Sequence, residues 1–144
     1  GLYYAKEFKI KKKIFDFNGT NISDQRILLF LKKNQIKLIC LAGFMKILTK
    51  NFIQKFNGKI INIHPSLLPK YKGLNTHQRA IDNKERFSGC TVHFVNSSLD
   101  SGKIILQKRI KISKNDNSFS LAKKILKKEH ILYPQAIKKL FSSL

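Results

Sequence analysis

The sequence predicts a three-layer α/β domain around a mixed, mostly parallel sheet. Short apolar runs of strand length alternate with amphipathic helical runs along the chain. The 144 residues, 42% of them hydrophobic, are enough for about one domain with its own core. The two cysteines, Cys40 and Cys90, show no CxxC spacing and lie in or beside apolar runs. We therefore expect two buried thiols in a reducing compartment rather than a disulfide scaffold.

The first half of the chain is expected to form strand, helix, strand, helix, strand, over residues 9–17, 23–34, 36–42, 49–56 and 60–63. A turn over residues 18–21 closes the first strand, and Ser23 or Asp24 is the candidate helix cap. The run 36–42 is continuously apolar, which is typical of a central strand buried on both faces. Gly58 ends the second helix.

The second half of the chain begins with an ordered loop, because Pro65, Pro69 and Gly73 exclude regular structure over residues 64–76. A helix over residues 77–83 follows. Alternating residues 89–95 and 103–112, joined by the turn 96–102, predict an antiparallel pair. A helix begins near Ser118, and Pro134 is expected to break or kink it. Its core-facing candidates are Leu121, Ile125, Leu132, Ala136 and Leu140.

The formal net charge of +21 comes almost entirely from lysine, since the chain has only four arginines. Base-reading proteins rely on bidentate arginine contacts, so we interpret the charge as a solvated surface that attracts anionic substrates. A basic nucleic-acid-binding module is the alternative, and steep salt dependence of nucleic-acid affinity would identify it. No apolar run approaches 18 residues and the N-terminal residues show no signal-peptide pattern, so we expect a cytoplasmic protein without membrane association.

Two polar side chains, Asn62 and His64, end the apolar run at residues 60–63. They are two residues apart and therefore point to one face of a strand, at the sheet edge where ligands of α/β proteins bind. An amide and an imidazole can together hold a developing oxyanion and move a proton. The alternative is that His64 only caps the end of the strand.

Asp100 and His93 are the candidates for supporting that pair. If the turn 96–102 folds over the end of the sheet, the Asp100 carboxylate can hold a protonated His64. Otherwise Asp100 forms an ordinary Asx-type turn. His93 lies mid-strand, where a structural histidine is the alternative, and His77 and His130 are expected on helix surfaces. No His, Cys or carboxylate spacing suggests a metal site.

Three segments resemble phosphoribosylglycinamide formyltransferase. They are Leu-Ala-Gly-Phe-Met-Lys-Ile-Leu at residues 41–48, Ile-Asn-Ile-His-Pro-Ser-Leu-Leu-Pro-Lys-Tyr-Lys-Gly at 61–73, and Gly-Cys-Thr-Val-His-Phe-Val with Leu-Asp-Ser-Gly at 89–95 and 99–102. The resemblance runs through the whole chain in one register, with an aspartate 36 residues after His64. It implies a formyltransferase-like, Rossmann-type domain that lacks the family's first strand, Gly-rich phosphate loop and helix. The 144 residues are then a partial formyltransferase domain.

This resemblance implies transfer of a formyl group from 10-formyltetrahydrofolate to the amine of phosphoribosylglycinamide in purine biosynthesis. Asn62, His64 and Asp100 match the catalytic residues of the family, and Asn62 also matches its folate site. The segment that borders the folate ring is matched by Met45, Lys46, Ile47 and Leu48, with Lys46 where many members have arginine. His93 matches a supporting position, and no metal is implied.

The lack of a counterpart to the family's first strand, phosphate loop and helix leads to two expectations. Without a phosphate loop, the isolated chain should transfer little formyl at ordinary glycinamide ribotide concentrations. An open sheet edge also favours self-association into homo-oligomers. Methionyl-tRNA formyltransferase and formyltetrahydrofolate deformylase are alternatives within the fold. The tRNA enzyme continues its loop with an Arg-Gly-Ala-Ala-Pro-like stretch, and the deformylase has His-His-Ser after the strand. An inactive remnant is a further alternative.

Overall fold

A four-stranded mixed sheet organises the chain, whose computed structural model describes residues 2–16 and 21–142. The strands are β1 (Leu38–Leu41), β2 (Lys59–His64), β3 (Phe87–Phe94) and β4 (Ile104–Lys111), and their spatial order follows the sequence. β1 and β2 are parallel, whereas β2–β3 and β3–β4 are antiparallel. The expected α/β fold with a mixed sheet, including its antiparallel pair, is confirmed. The expectation that the sheet is mostly parallel is wrong for the described strands, because two of their three pairings are antiparallel.

Five helices complete the described fold. They are α1 (Leu2–Glu7), α2 (Asn21–Lys33), α3 (Lys50–Lys55), α4 (Thr76–Asp82) and α5 (Ser118–Phe141). Neighbouring residues of β2 show how the helices are divided between the two faces of the sheet. Ile60 packs with Phe52 of α3 and with apolar residues of α2, whereas Ile61 packs with Leu121 and Ile125 of α5. Because successive strand residues point to opposite faces, the sheet lies between two helical layers, as expected.

Helix α5 is continuous through Pro134, so the expected break is wrong. Proline removes one hydrogen bond, but the turns on either side of it pack against the same core cluster, which stabilises the continuous helix. The predicted core face is confirmed. It consists of Leu121, Ile125, Leu132 and Ala136, all buried, together with the partly buried Leu140.

The expected strand over residues 9–17 is wrong for its described part. Residues 10–16 have no regular structure, and Ile10 and Ile14 are exposed. Instead, α1 ends in a Schellman motif: Lys9 has a φ of 53°, and the Ile10 amide donates to the Ala5 carbonyl at 2.8 Å. An alternating pattern forms a strand only where a second strand can pair with it. Phe17 and the predicted turn over residues 18–21 lie wholly or partly outside the described residues, which omit 17–20.

The apolar run 36–42 also differs from expectation. Its strand is only Leu38–Leu41, and within the part of the chain that the structure describes β1 is an edge strand rather than a central one. Cys40 is exposed, whereas Cys90 is buried as predicted. None of the described helices is both long enough and apolar enough to cross a membrane.

Candidate active site

Asn62 and His64 leave the carboxyl end of β2 on one face of the sheet. They pair across the sheet with His93 and Thr91 of β3, so four polar side chains share this face. The same face carries Ile60, which packs under α2 and α3 further along the strand. The strand therefore changes from apolar to polar where it passes beyond those helices.

His64 is buried, and both of its ring nitrogens face oxygen acceptors. Its Nε2 lies 2.8 Å from the Tyr71 carbonyl oxygen, and its Nδ1 lies 3.4 Å from Oδ2 of Asp100. A carbonyl can only accept, so Nε2 carries a hydrogen. A proton on Nδ1 as well would turn the contact with Asp100 into a charge-assisted pair. The surroundings of His64 thus suit an imidazolium.

Asp100 lies in the turn between β3 and β4, and this turn folds over the end of the sheet. Its side chain is 10% exposed, and Oδ2 accepts a hydrogen bond from the Gly73 amide at 2.8 Å. The Asx-type turn in this segment is formed by Asn96, whose side chain accepts from the Ser98 amide. Asp100 itself has a φ of 44°, so the loop holds it in a left-handed conformation. Its carboxylate is directed at the histidines.

Gly102 closes this turn tightly against β3. A Cβ atom at Gly102 would lie 1.7 Å from the Phe94 carbonyl oxygen, so any other residue would push the turn away. The Phe94 amide donates to the Lys103 carbonyl at 2.9 Å in the same place. Glycine at this position is what allows Asp100 to reach His64.

His93 lies on the far side of the same carboxylate. Its Nδ1 lies 2.9 Å from the Phe94 carbonyl, and its Nε2 lies 3.6 Å from Oδ1 of Asp100 and 3.5 Å from the Asn62 amide nitrogen. Burial lowers the pKa of His93, although the Phe94 carbonyl and Asp100 act in the opposite direction. The neutral ring donates through Nδ1, which leaves Nε2 as an acceptor for Asn62. The Nε2 atom of His93 also faces Oδ1 of Asp100, so one more proton can bind between these two atoms.

Thr91 anchors the loop that follows His64. Its hydroxyl donates to the Ser66 carbonyl at 2.6 Å and accepts from the Leu68 amide at 3.1 Å. Gln107 of β4 donates to the same hydroxyl and to the Leu68 carbonyl, at 2.8 and 3.0 Å. The loop, which contains a cis bond between Leu68 and Pro69, is therefore fixed to the sheet from below.

The predicted folate-binding segment leaves the same end of the sheet. Leu41, the last residue of the parallel strand β1, pairs with Asn62, so residues 42–48 continue beside the catalytic candidates. Met45 and Ile47 are each 75% exposed, and Lys46 is also exposed. Leu48 instead packs into the core cluster under α3. The structure thus brings Asn62, His64, His93 and Asp100 into contact and sets three of the four loop residues at the surface nearby.

Several residues at this site had no role in the sequence interpretation. The Tyr71 carbonyl and the Gly73 amide contact His64 and Asp100 through backbone atoms, which a sequence pattern does not reveal. His77 is half-buried rather than on the surface, and burial together with the nearby His64 lowers its pKa. His130 is exposed, as expected.

The arrangement combines an amide donor, a charged-imidazole environment and a carboxylate that contacts two rings. Such a group can stabilise negative charge on a substrate oxygen and pass a proton between neighbouring nitrogens. Among the hydrogen-bond and ion-pair partners found for the two rings in the described residues there is no serine, threonine or cysteine side chain, so these residues suit reactions in which the substrates react directly with each other.

Comparisons of the sequence and of the structure with known proteins both find phosphoribosylglycinamide formyltransferases. The sequence model described as formyl transferase matches residues 1–137. The chain is 45% identical over 141 residues to phosphoribosylglycinamide formyltransferase of Haemophilus influenzae, covering 96% of this chain and 66% of that protein. It is also 45% identical over 114 residues to the human trifunctional purine biosynthetic protein adenosine-3, covering 79% of this chain and 11% of that protein.

Solved structures with the same architecture include two phosphoribosylglycinamide formyltransferases. The protein from Anaplasma phagocytophilum has a TM-score of 0.88 at 39% identity, covering 95% of this chain and 66% of that one. The protein from Bacillus halodurans has a TM-score of 0.90 at 33% identity, covering 98% and 74%. The chain thus spans just under two thirds of the length of its Haemophilus relative. Because the family's sequence model matches nearly all of it, this chain belongs to the formyl transferase family.

Proposed function

We propose that this site transfers the formyl group of 10-formyltetrahydrofolate to the amine of phosphoribosylglycinamide. The observation that carries the proposal is the contact of one buried carboxylate, Asp100, with both His64 and His93 beside the Asn62 amide. Membership of the formyl transferase family supports the reaction type. The activity named for the Haemophilus and Anaplasma relatives supports the choice of substrates.

In the proposed first step, the substrate amine attacks the formyl carbon. A carbon–nitrogen bond forms, and the carbonyl electron pair moves to oxygen, which becomes an oxyanion. The Asn62 amide and the His64 imidazolium donate hydrogen bonds to that oxygen. An oxyanion is a stronger acceptor than the neutral Tyr71 carbonyl that now faces His64 Nε2, so it competes well for this donor.

In the second step, the bond between the formyl carbon and the folate nitrogen breaks. The attacking amine has lost a proton, and the departing folate nitrogen gains one, so the site has to carry a proton between two nitrogens. Asp100 keeps His64 charged throughout, and its contact with His93 offers a place for the proton in transit. Fixing both substrates side by side removes much of the entropic barrier.

We assign the flat ring of the folate to residues 42–48. This loop leaves the sheet beside Asn62, and Met45 and Ile47 each expose three quarters of their surface there. Exposed apolar side chains on a loop that leaves the sheet beside a polar reaction centre suit an aromatic ligand that covers them. In this proposal Lys46 supplies the positive charge next to the donor.

The test is the His64→Ala variant, with His130→Ala as the matched control because His130 is an exposed histidine on α5. Formyl transfer to phosphoribosylglycinamide is measured at high concentrations of both substrates, and tetrahydrofolate affinity is measured by calorimetry. We expect His64→Ala to lose at least about a hundredfold in rate while tetrahydrofolate affinity changes less than about twofold, since the lost donor acts mainly in the transition state. Transfer by His64→Ala at the rate of His130→Ala would refute the proposal.

A further inference from the structure

A second buried carboxyl group, Asp24, lies outside the reaction centre. Asp24 is on the first turn of α2 and is completely buried. Its Oδ2 accepts a hydrogen bond from the hydroxyl of Thr49, 25 residues further along the chain. Its Oδ1 is buried and has no hydrogen-bond partner among the described residues. Burying a carboxyl group is costly, so packing alone does not explain an acid at this position.

Thr49 connects Asp24 with helix α3. It is the N-cap residue, and its side-chain oxygen accepts from the Phe52 amide at 2.9 Å. A hydroxyl has a single hydrogen, and here that hydrogen goes to Asp24. The rotation of the hydroxyl is therefore fixed, with a lone pair directed at the Phe52 amide. Phe52 is itself a core residue at 3% exposure, which ties the cap to the core.

The position of Thr49 along the chain connects this contact with the reaction centre. Residues 42–48 run from the end of β1 to Thr49, so the two ends of this loop are Leu41 and Thr49. The first end is held by the hydroxyl of Tyr133, which donates to the Leu41 carbonyl at 2.7 Å. The second end is held by Asp24 through Thr49. Between these two anchors lie the exposed Met45 and Ile47.

We infer that Asp24 is a positioning residue for the loop 42–48, acting through Thr49 to set the surface that receives the flat ring of the formyl donor. This inference rests on the function proposed above. A loop of seven residues with exposed apolar side chains presents a defined surface only when its ends are fixed. The Asp24–Thr49 contact fixes the end that enters α3, and neither residue is among the hydrogen-bond or ion-pair partners found for His64 and Asp100 in the described part of the chain.

The experiment compares Asp24→Asn and Thr49→Val with the conservative Thr49→Ser and with Asp82→Asn. Asp82 is an exposed aspartate on α4, so Asp82→Asn is the matched control. Amide hydrogen exchange is measured separately for residues 42–48 and for β3, and tetrahydrofolate affinity is measured by calorimetry. Hydrogen exchange does not depend on enzymatic activity, so it shows whether the Asp24–Thr49 contact holds the loop even if the proposed reaction is wrong.

We expect Thr49→Val, which removes the hydroxyl, to speed exchange in residues 42–48 and to weaken tetrahydrofolate binding by about fivefold, the factor that corresponds to one ordinary hydrogen bond. Asp24→Asn keeps an oxygen acceptor for Thr49 but replaces the carboxylate by a weaker neutral one, so it should change both quantities in the same direction and by less. Exchange in β3 should be unchanged, and Thr49→Ser should behave like the parent because serine keeps both hydrogen bonds. The pH profile of transfer should also be unchanged, since His64 and Asp100 are untouched.

Three results would count against these assignments. Unchanged exchange in residues 42–48, or a uniform rise in exchange over the whole chain, would contradict the inference that the Asp24–Thr49 contact fixes this loop. Faster exchange in the loop with unaltered tetrahydrofolate affinity would contradict the inference that the fixed loop forms the binding surface for the formyl donor. Failure of the parent chain to bind tetrahydrofolate would contradict the proposed function and the assignment of the donor-binding surface. The exchange data would still show whether Asp24 and Thr49 fix the loop.

Discussion

Two aspartates of this chain, Asp100 and Asp24, are both largely shielded from solvent but have different neighbours. Asp24 is completely buried, whereas the Asp100 side chain is 10% exposed. Asp100 contacts two imidazole rings and a backbone amide. Asp24 contacts one threonine hydroxyl, and its second oxygen has no partner among the described residues. Asp100 lies in a turn with a left-handed backbone at the edge of the sheet, whereas Asp24 lies in a regular helix.

The difference shows that burial alone does not identify a catalytic acid. The imidazoles next to Asp100 have ring nitrogens that can bind or release a proton, so the carboxylate can influence a proton transfer. The threonine hydroxyl next to Asp24 keeps its proton, so this carboxyl group can only hold a neighbour in place. The ability of the partner to titrate separates the two roles.

The same isosteric change at both positions tests this comparison with the largest expected effect. Asp100→Asn removes the charge that holds the His64 imidazolium, so we expect the transfer rate to fall by at least about a hundredfold while the free energy of unfolding stays close to that of the parent. Asp24→Asn should do the reverse. It should lower the free energy of unfolding by roughly 1 kcal/mol and leave the pH profile of the reaction intact.

Urea unfolding and formyl-transfer assays on the two variants measure both quantities. Asp82→Asn provides the baseline for a surface aspartate. If Asp24→Asn changed the pH profile, or if Asp100→Asn lost stability without losing rate, the assignment of the two roles would have to be exchanged.

Replacement of His93 tests the second imidazole, with a smaller effect. His93→Ala leaves Asp100 and Asn62 without the ring nitrogen that both face, but the His64–Asp100 contact remains. We expect the transfer rate to fall by about tenfold, below the roughly hundredfold or larger effect typical of a general acid–base group and less than for His64→Ala. Steady-state kinetics over a range of pH measure this. A rate for His93→Ala below that of His64→Ala would make His93 the principal group.

The pH dependence of stability is the smallest expected effect. The pKa values of His93 and His77 are lowered, chiefly by burial, so the unfolded chain binds protons from about pH 6.5 downwards while the folded chain resists them. The unfolded state then holds more protons, and stability falls as the pH drops from 6.5 towards the lowered pKa values. Each histidine contributes at most about 1.4 kcal/mol per pH unit. Urea unfolding at pH 7, 6 and 5 should show a flatter dependence in His93→Ala, and parallel curves would contradict this.

Part of the reaction centre was accessible from the sequence, because Asn62 and His64 share a face through the two-residue period of a strand. The antiparallel pairing of β2 with β3, which brings His93 opposite Asn62, was not predicted, and Asp100 lies in a turn rather than on a regular element. Their catalytic roles remain predictions. The contacts through the Tyr71 carbonyl and the Gly73 amide were not predictable, because every residue has these backbone groups.

The predicted ends of α2 and α4, at residues 34 and 83, lie within one residue of the observed ends, but the left-handed residues beyond the helices were not predicted. Lys9, Gln35 and Lys84 lie two residues beyond α1, α2 and α4, and each has a positive φ, where glycine is the usual signal. In each case a backbone amide one residue later donates to a carbonyl five residues earlier. Backbone hydrogen bonds that any residue can make close these ends, and they offset the cost of a left-handed side chain, so the composition carries no signal for them.

Local periodicity and composition determine the alternation of helices and strands, the core face of α5 and the polar end of β2, because these depend on the residues of a single segment. Folding alone brings Asp100 to His64 and Asp24 to Thr49, since each contact joins segments at least 25 residues apart. It also decides that β1 is an edge strand within the described residues and that residues 10–16 pair with no strand there. Pairing and burial depend on which neighbours are present, and no single segment specifies its neighbours.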